Sequence, residues 1–131
     1  MGCADPSWHL MPLAWNSWLA GFGLTLAFEL PLVLGLLSRV EPRLSRRVAL
    51  CLIANLLTHP LVWFFYPQLP LPYLVRLTLS ELWAFGAEAW FYAGFVAGLG
   101  VSRAILTSLV ANAVSFGLGL IVVTLWGKWL F

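Results

Sequence analysis

A chain of 131 residues that is 62% hydrophobic and only 9% Asp, Glu, Lys and Arg carries more apolar surface than a water-soluble domain of its size can hide. Its formal charge of +2 is too small to argue for a nucleic-acid partner. Lipid is therefore the expected solvent for most of these side chains, and the bilayer the first expected partner.

Taken in chain order, four apolar stretches, about 15–37, 48–66, 74–98 and 104–126, are each long enough to cross roughly 30 Å of hydrocarbon at about 1.5 Å per residue. None alternates apolar with polar residues as a spanning strand does. The predicted fold is all-α: one polytopic membrane domain over 1–131 with four transmembrane helices. No basic region or small-residue cleavage site precedes the first stretch, so it is expected to be retained rather than removed as a signal peptide. Pro6 stands where N-myristoylation needs Ser or Thr. Cys3 and Cys51 make no disulfide framework, and the topology below puts them on opposite sides of the membrane, too far apart to pair.

Charge orients the spans. Residues 38–47 (SRVEPRLSRR) hold Arg39, Arg43, Arg46 and Arg47, and 99–103 adds Arg103, whereas 67–73 (PQLPLPY) has three prolines and no charge. The positive-inside rule makes the first and third connections cytoplasmic and leaves both termini on the non-cytoplasmic side of a plasma or inner membrane. Trp8, Trp15, Trp18, Trp63, Trp126 and Trp129, with Tyr66 and Tyr73, fall near the proposed outer interface, as an aromatic belt does.

Residues 45–61 (SRRVALCLIANLLTHPL) lie on 102–118 (SRAILTSLVANAVSFGL) without a gap, matching Ser45 with Ser102, Arg46 with Arg103, Asn55 with Asn112 and Thr58 with Ser115. Glu29 precedes the first asparagine much as Glu88 precedes the second. This predicts a two-hairpin (2+2) internal repeat, each half a Glu-bearing helix, an Arg-containing turn and an Asn-bearing helix. Both halves begin on the same side, so the repeat is parallel. Polar identities decide the matter, because those residues are costly in lipid.

Measured from the cytoplasmic ends of their spans, Glu29, Asn55, His59, Glu88 and Asn112 fall in one layer near the bilayer middle, with Glu81 two turns further out on the face of Glu88. Trp83 and Trp90 share the same spacing on another face, so the third helix is expected to turn glutamates inward and tryptophans outward. No lysine or arginine lies at the depth of the layer, and insertion scales put a central carboxylate at about 2.5–3.5 kcal/mol. Hydrogen-bonded, protonated glutamates are the expected resting form unless water or a cation enters. Pro31 and Pro60 each free a carbonyl one turn back, close to this layer. Intramembrane ionisable groups mark pathways and relays, so Glu29, Glu88, His59, Asn55, Asn112 and Glu81 are the candidate transport or proton-relay residues. Asn55 and Asn112 also suit plain interhelical hydrogen bonding, and Glu81 also suits an ion pair with Arg76. Gly94 and Gly98 (GFVAG) are expected to let helices pack closely.

Two function classes follow. One is ion- or proton-coupled transport, or conduction, of a small solute, which four helices need a homo-oligomer or partner subunit to enclose. The other is a non-catalytic subunit of a larger membrane complex, suggested by short connections and a tryptophan face. An enzyme is not expected: HExxH, GxSxG, paired cysteines and a phosphate-cradling glycine loop are all missing. Neither a metal site nor a cofactor is expected.

Overall fold

The computed structural model describes residues 11–130, and the side chains of residues 15–125. It holds four helices, α1 (Met11–Leu36), α2 (Leu44–Pro60), α3 (Tyr73–Phe95) and α4 (Val101–Leu130), with no strand among the described residues. Three segments are long and apolar enough to cross a membrane: Trp15–Leu36, Leu44–Gln68 and Val101–Leu125. α3, with 23 residues, has the length but falls short in composition, since Arg76, Glu81 and Glu88 interrupt it. Cys3, Trp8, the remaining N-terminal residues, and the side chains of Trp126 and Trp129 lie outside what is described.

Each helix packs against two others in the cyclic order α1, α2, α3, α4, so α1 and α3 face each other across the diagonal. Short connections alone favour this up-and-down arrangement. The first turn is tied by charge. Glu41 is buried, accepts the Arg43 backbone N–H at 3.1 Å, and pairs with Arg46 Nε at 3.2 Å. Arg46 also donates to the Phe95 carbonyl at 3.4 Å, and Arg47 donates to the Leu34 carbonyl. The arginines of this connection thus bind three chain segments as well as setting charge asymmetry.

α2 does not continue regularly to Tyr66. After Pro60 the chain makes a π-helical turn over Leu61–Phe65 and a 3₁₀ turn over Tyr66–Gln68. Pro60 removes one ladder N–H and crowds the carbonyl four residues back. The Tyr66 N–H consequently reaches five residues back to the Leu61 carbonyl. This widened turn faces α1 at Gly21, where a Cβ would collide with the Trp63 indole.

The glycines expected to pack helices do something else. A Cβ at Gly94 would meet nothing within 4 Å, and the same holds at Gly98. Both are exposed. Gly98 instead turns the chain: α3 ends at Phe95, short of the expected end of the third span, and Gly98 takes φ +77°, which side-chain-bearing residues rarely adopt. Within the chain neither brings two helices together.

The interior is divided in two. On the arginine side a tight apolar cluster fills the bundle, built on Val33, Leu37, Cys51, Tyr92, Val96 and Ala104. The opposite half, towards the proline-rich connection, is hollow. The exterior is apolar as well: Leu57, Leu74, Leu82, Trp90, Phe95 and Leu125 are all more than half exposed.

Candidate functional site: a carboxyl–carboxamide ring beneath a cavity

Where the two halves meet, four helices are joined by a closed circuit of side-chain hydrogen bonds. Glu29 on α1 accepts from Asn55 Nδ2 on α2 at 2.8 Å and from Ser115 Oγ on α4 at 2.8 Å. Glu88 on α3 accepts from Asn112 Nδ2 on α4 at 2.8 Å and from Thr58 Oγ1 on α2 at 3.1 Å. Every neighbouring helix pair is thereby linked once through a carboxyl group. Glu29, Glu88 and Asn55 are each 1% exposed, so an unmade bond here is costly.

The asparagines work alike. Asn55 Nδ2 also donates to the Cys51 carbonyl at 3.1 Å, and Asn112 Nδ2 to the Ser108 carbonyl at 3.0 Å, each one turn back on its own helix. Both hydrogens of each amide nitrogen are used, one locally and one on a carboxyl. Small side chains at the preceding turn, Cys51 and Ser108, are fully buried and give the amides room. Ser108 Oγ additionally donates to the Phe85 carbonyl at 2.8 Å, fastening α4 to α3.

Above the ring lies a cavity of about 360 Å³. Glu29, Asn55, Glu88 and Asn112 line it together with His59, and all four helices contribute to its walls. That volume falls in the roughly 300–1,000 Å³ range of small-molecule sites. A second cavity of about 280 Å³ reaches out to Tyr66, Pro67 and Arg76, and the two share Val62, Trp63, Tyr73, Leu77 and Glu81. Together they run from the proline-rich connection down to the ring, while the apolar cluster closes the opposite side.

His59 is 8% exposed and lines the wall. Its Nε2 is 3.3 Å from Thr25 Oγ1, and its Nδ1 is buried without a hydrogen-bond partner in the chain. Three aromatic rings hold the imidazole, Phe22 at 5.3 Å between centroids, Trp63 at 6.0 Å and Trp18 at 6.2 Å. Sequence reading placed His59 in the layer but not in contact with these groups. The rings come from two helices, and only the π turn carries Trp63 under α1.

Glu81 does not pair with Arg76. The guanidinium turns away and donates to the Pro67 carbonyl at 2.6 Å, and among the described residues the one Lys/Arg–carboxylate pair is Arg46–Glu41. Glu81 sits instead at the junction of the two cavities. The six candidate residues therefore all line one space. Ser108 and Thr25 were missed by sequence reasoning, because Ser and Thr are common in apolar helices and a lone hydroxyl carries little signal. Thr58 and Ser115 were matched to each other in sequence, but as donors to the two carboxyl groups they became visible only in the folded chain. No group of three metal-ligating side chains occurs among the described residues.

These features define the class: an all-helical bundle with three candidate membrane spans, an apolar exterior, and a buried Glu/Asn/His layer under a cavity. Compared with protein-family models, characterised proteins and solved structures, the chain matches none.

Proposed function

We propose that this chain is a four-span membrane protein, built from two helical hairpins in a parallel repeat, that moves a small solute coupled to a proton or another ion at the Glu29–Glu88 ring. One observation carries the reading: two carboxyl groups from diagonal helices both line the floor of a cavity that is packed shut on the arginine side. A blind cavity ending on paired ionisable groups suits a binding centre reached from one face of the membrane at a time. The matched bonds of Glu29 with Asn55 and Glu88 with Asn112 support the repeat. The inward direction of Glu81 and Glu88, against the outward Leu74, Leu82 and Trp90, supports α3 as a fourth span, because its lipid-facing surface is apolar whatever its mean composition. Four helices enclose a narrow space, so a homo-oligomer or a partner subunit belongs to the proposal.

The test is uptake into proteoliposomes carrying an inward proton gradient, offered a mixed pool of amines, amino acids, sugars and carboxylates, with the lumen read by mass spectrometry. Gradient-dependent accumulation of one class, lost in Glu29→Gln and Glu88→Gln, is the expected result. A lumen identical to that of protein-free vesicles overturns the reading.

The orientation has its own check. With both termini on the non-cytoplasmic side of a plasma or inner membrane, a membrane-impermeant maleimide added to intact cells or spheroplasts labels Cys3, while buried Cys51 stays unmodified. Labelling that requires permeabilised membranes reverses the assignment.

A non-catalytic subunit of a larger membrane complex is the second reading. It is favoured by Trp90, 73% exposed, and by exposed Trp83 seven residues before it on the same face of α3, an aromatic face turned out of the bundle. Native mass spectrometry from mild detergent separates the two, since a subunit retains a second polypeptide and an oligomeric transporter shows multiples of one mass.

A further inference from the structure

Resting on the transport reading, we infer that the solute is an organic amine in its ammonium form, seated with its N–H donors on Glu81 at the junction of the two cavities and its apolar portion against Leu77 and Phe116. Charge comes first. The inner cavity is lined by Glu29, Glu81 and Glu88 and by no lysine or arginine, so an anion has nothing to meet there. Arg76, which lines the outer cavity, has its guanidinium engaged by the Pro67 carbonyl.

The three carboxyl groups are not equivalent. Each oxygen of Glu29 and of Glu88 already accepts a hydrogen bond from a side chain of the bundle. Glu81 has no hydrogen bond or ion pair to any described residue, although it lies inside the bundle and on both cavities. His59, more than nine-tenths buried, lines the same inner cavity, its Nδ1 closed off and without a partner. An unpaired carboxyl on an open cavity calls for a ligand that donates hydrogen bonds.

Shape and chemistry then select among cations. A bare metal ion is poorly served, with no group of three ligating side chains among the described residues. A quaternary ammonium would find aromatic rings at Trp63, Tyr73 and Phe116, but it has no N–H to give the unpaired Glu81 carboxyl. A protonated amine answers that need, since its N–H groups form charge-assisted bonds to a carboxylate. Leu77, Phe116 and Leu120 supply a wall for a hydrocarbon or aryl tail.

The experiment is isothermal titration of the purified full chain in mild detergent with 2-phenylethylammonium. Its counterparts are 3-phenylpropionate, of similar shape and opposite charge, and the N-trimethylated amine, which has no N–H. Saturable binding of the amine, at least about tenfold tighter than either counterpart, is expected. Glu81→Gln should weaken it at least about tenfold. Because that variant removes no bond seen in the bundle, its fold is expected to persist. Gly119→Leu gives an independent steric arm: Gly119 lines the cavity and a Cβ there meets nothing within 4 Å, so the new side chain fills the space and abolishes binding. No saturable binding at millimolar amine, equal binding of the anion, or undiminished binding by Glu81→Gln overturns the inference. Amine binding without gradient-driven uptake of any solute leaves this inference standing and removes the transport reading; uptake of a different solute class does the reverse.

Discussion

Glu29→Gln and Glu88→Gln, combined in one chain, are expected to leave the bundle folded within about 1 kcal/mol while abolishing gradient-driven uptake. The reason is in the donors around each carboxyl. Asn55 must donate to Glu29, because its nitrogen has only hydrogens to offer, but Ser115 is a hydroxyl and can reverse. A glutamine at 29 would present its oxygen to Asn55 and its NH₂ to Ser115, whose own hydrogen turns to the Asn112 carbonyl, 3.3 Å away. Glutamine at 88 is accommodated in the same way, with Thr58 turning its hydrogen to the Ala54 carbonyl at 3.2 Å. The ring survives as hydrogen bonds but can no longer hold or release a proton.

Glu29→Ala with Glu88→Ala behaves differently. Four interhelical bonds vanish, and Asn55 and Asn112 each lose the carboxyl they donate to. At about 0.6–2 kcal/mol for each interhelical hydrogen bond, and with incomplete additivity, the expected loss is about 2–4 kcal/mol. Reversible unfolding in mixed micelles measures both pairs of variants. If the glutamine pair is as unstable as the alanine pair, the ring is a structural clasp that depends on charge, and the functional reading weakens accordingly.

Gly21→Leu is expected to destabilise the chain by about 1–3 kcal/mol and to change the cavity wall together with the fold. The added carbon atoms land on the Trp63 indole, which borders both cavities and stacks on His59. Turning the ring away would cost its stacking contact with His59. Tryptophan fluorescence and the unfolding midpoint should shift together. Gly94→Leu, by contrast, should leave both near wild type, since a Cβ there meets nothing within 4 Å.

These two experiments probe different kinds of information. The helical class, the approximate positions of the apolar segments and the depth of Glu29, Asn55, His59, Glu88 and Asn112 are legible in the chain itself. Hydropathy over a run of about 20 residues is a local quantity, and helical rise converts residue number directly into depth. The likeness of residues 45–61 to 102–118 is visible there too, because polar residues are rare in such segments.

Which of those groups touch was decided only in three dimensions. Depth along a helix says nothing about azimuth relative to a neighbour, so the crossing of Glu29 to α4 and of Glu88 to α2 depends on the cyclic order of the helices. The π turn after Pro60 rotates Trp63 against Gly21 and His59, a local slip that the pattern of apolar residues does not encode. Gly94 and Gly98 illustrate the converse: small residues at close spacing resemble a helix contact, yet φ at Gly98 and open space at Gly94 come from how α3 ends. For Glu81, a relay candidate with an Arg76 ion pair as the alternative reading, only the folded chain separates the two: the guanidinium donates to the Pro67 carbonyl and the carboxyl lies on a cavity.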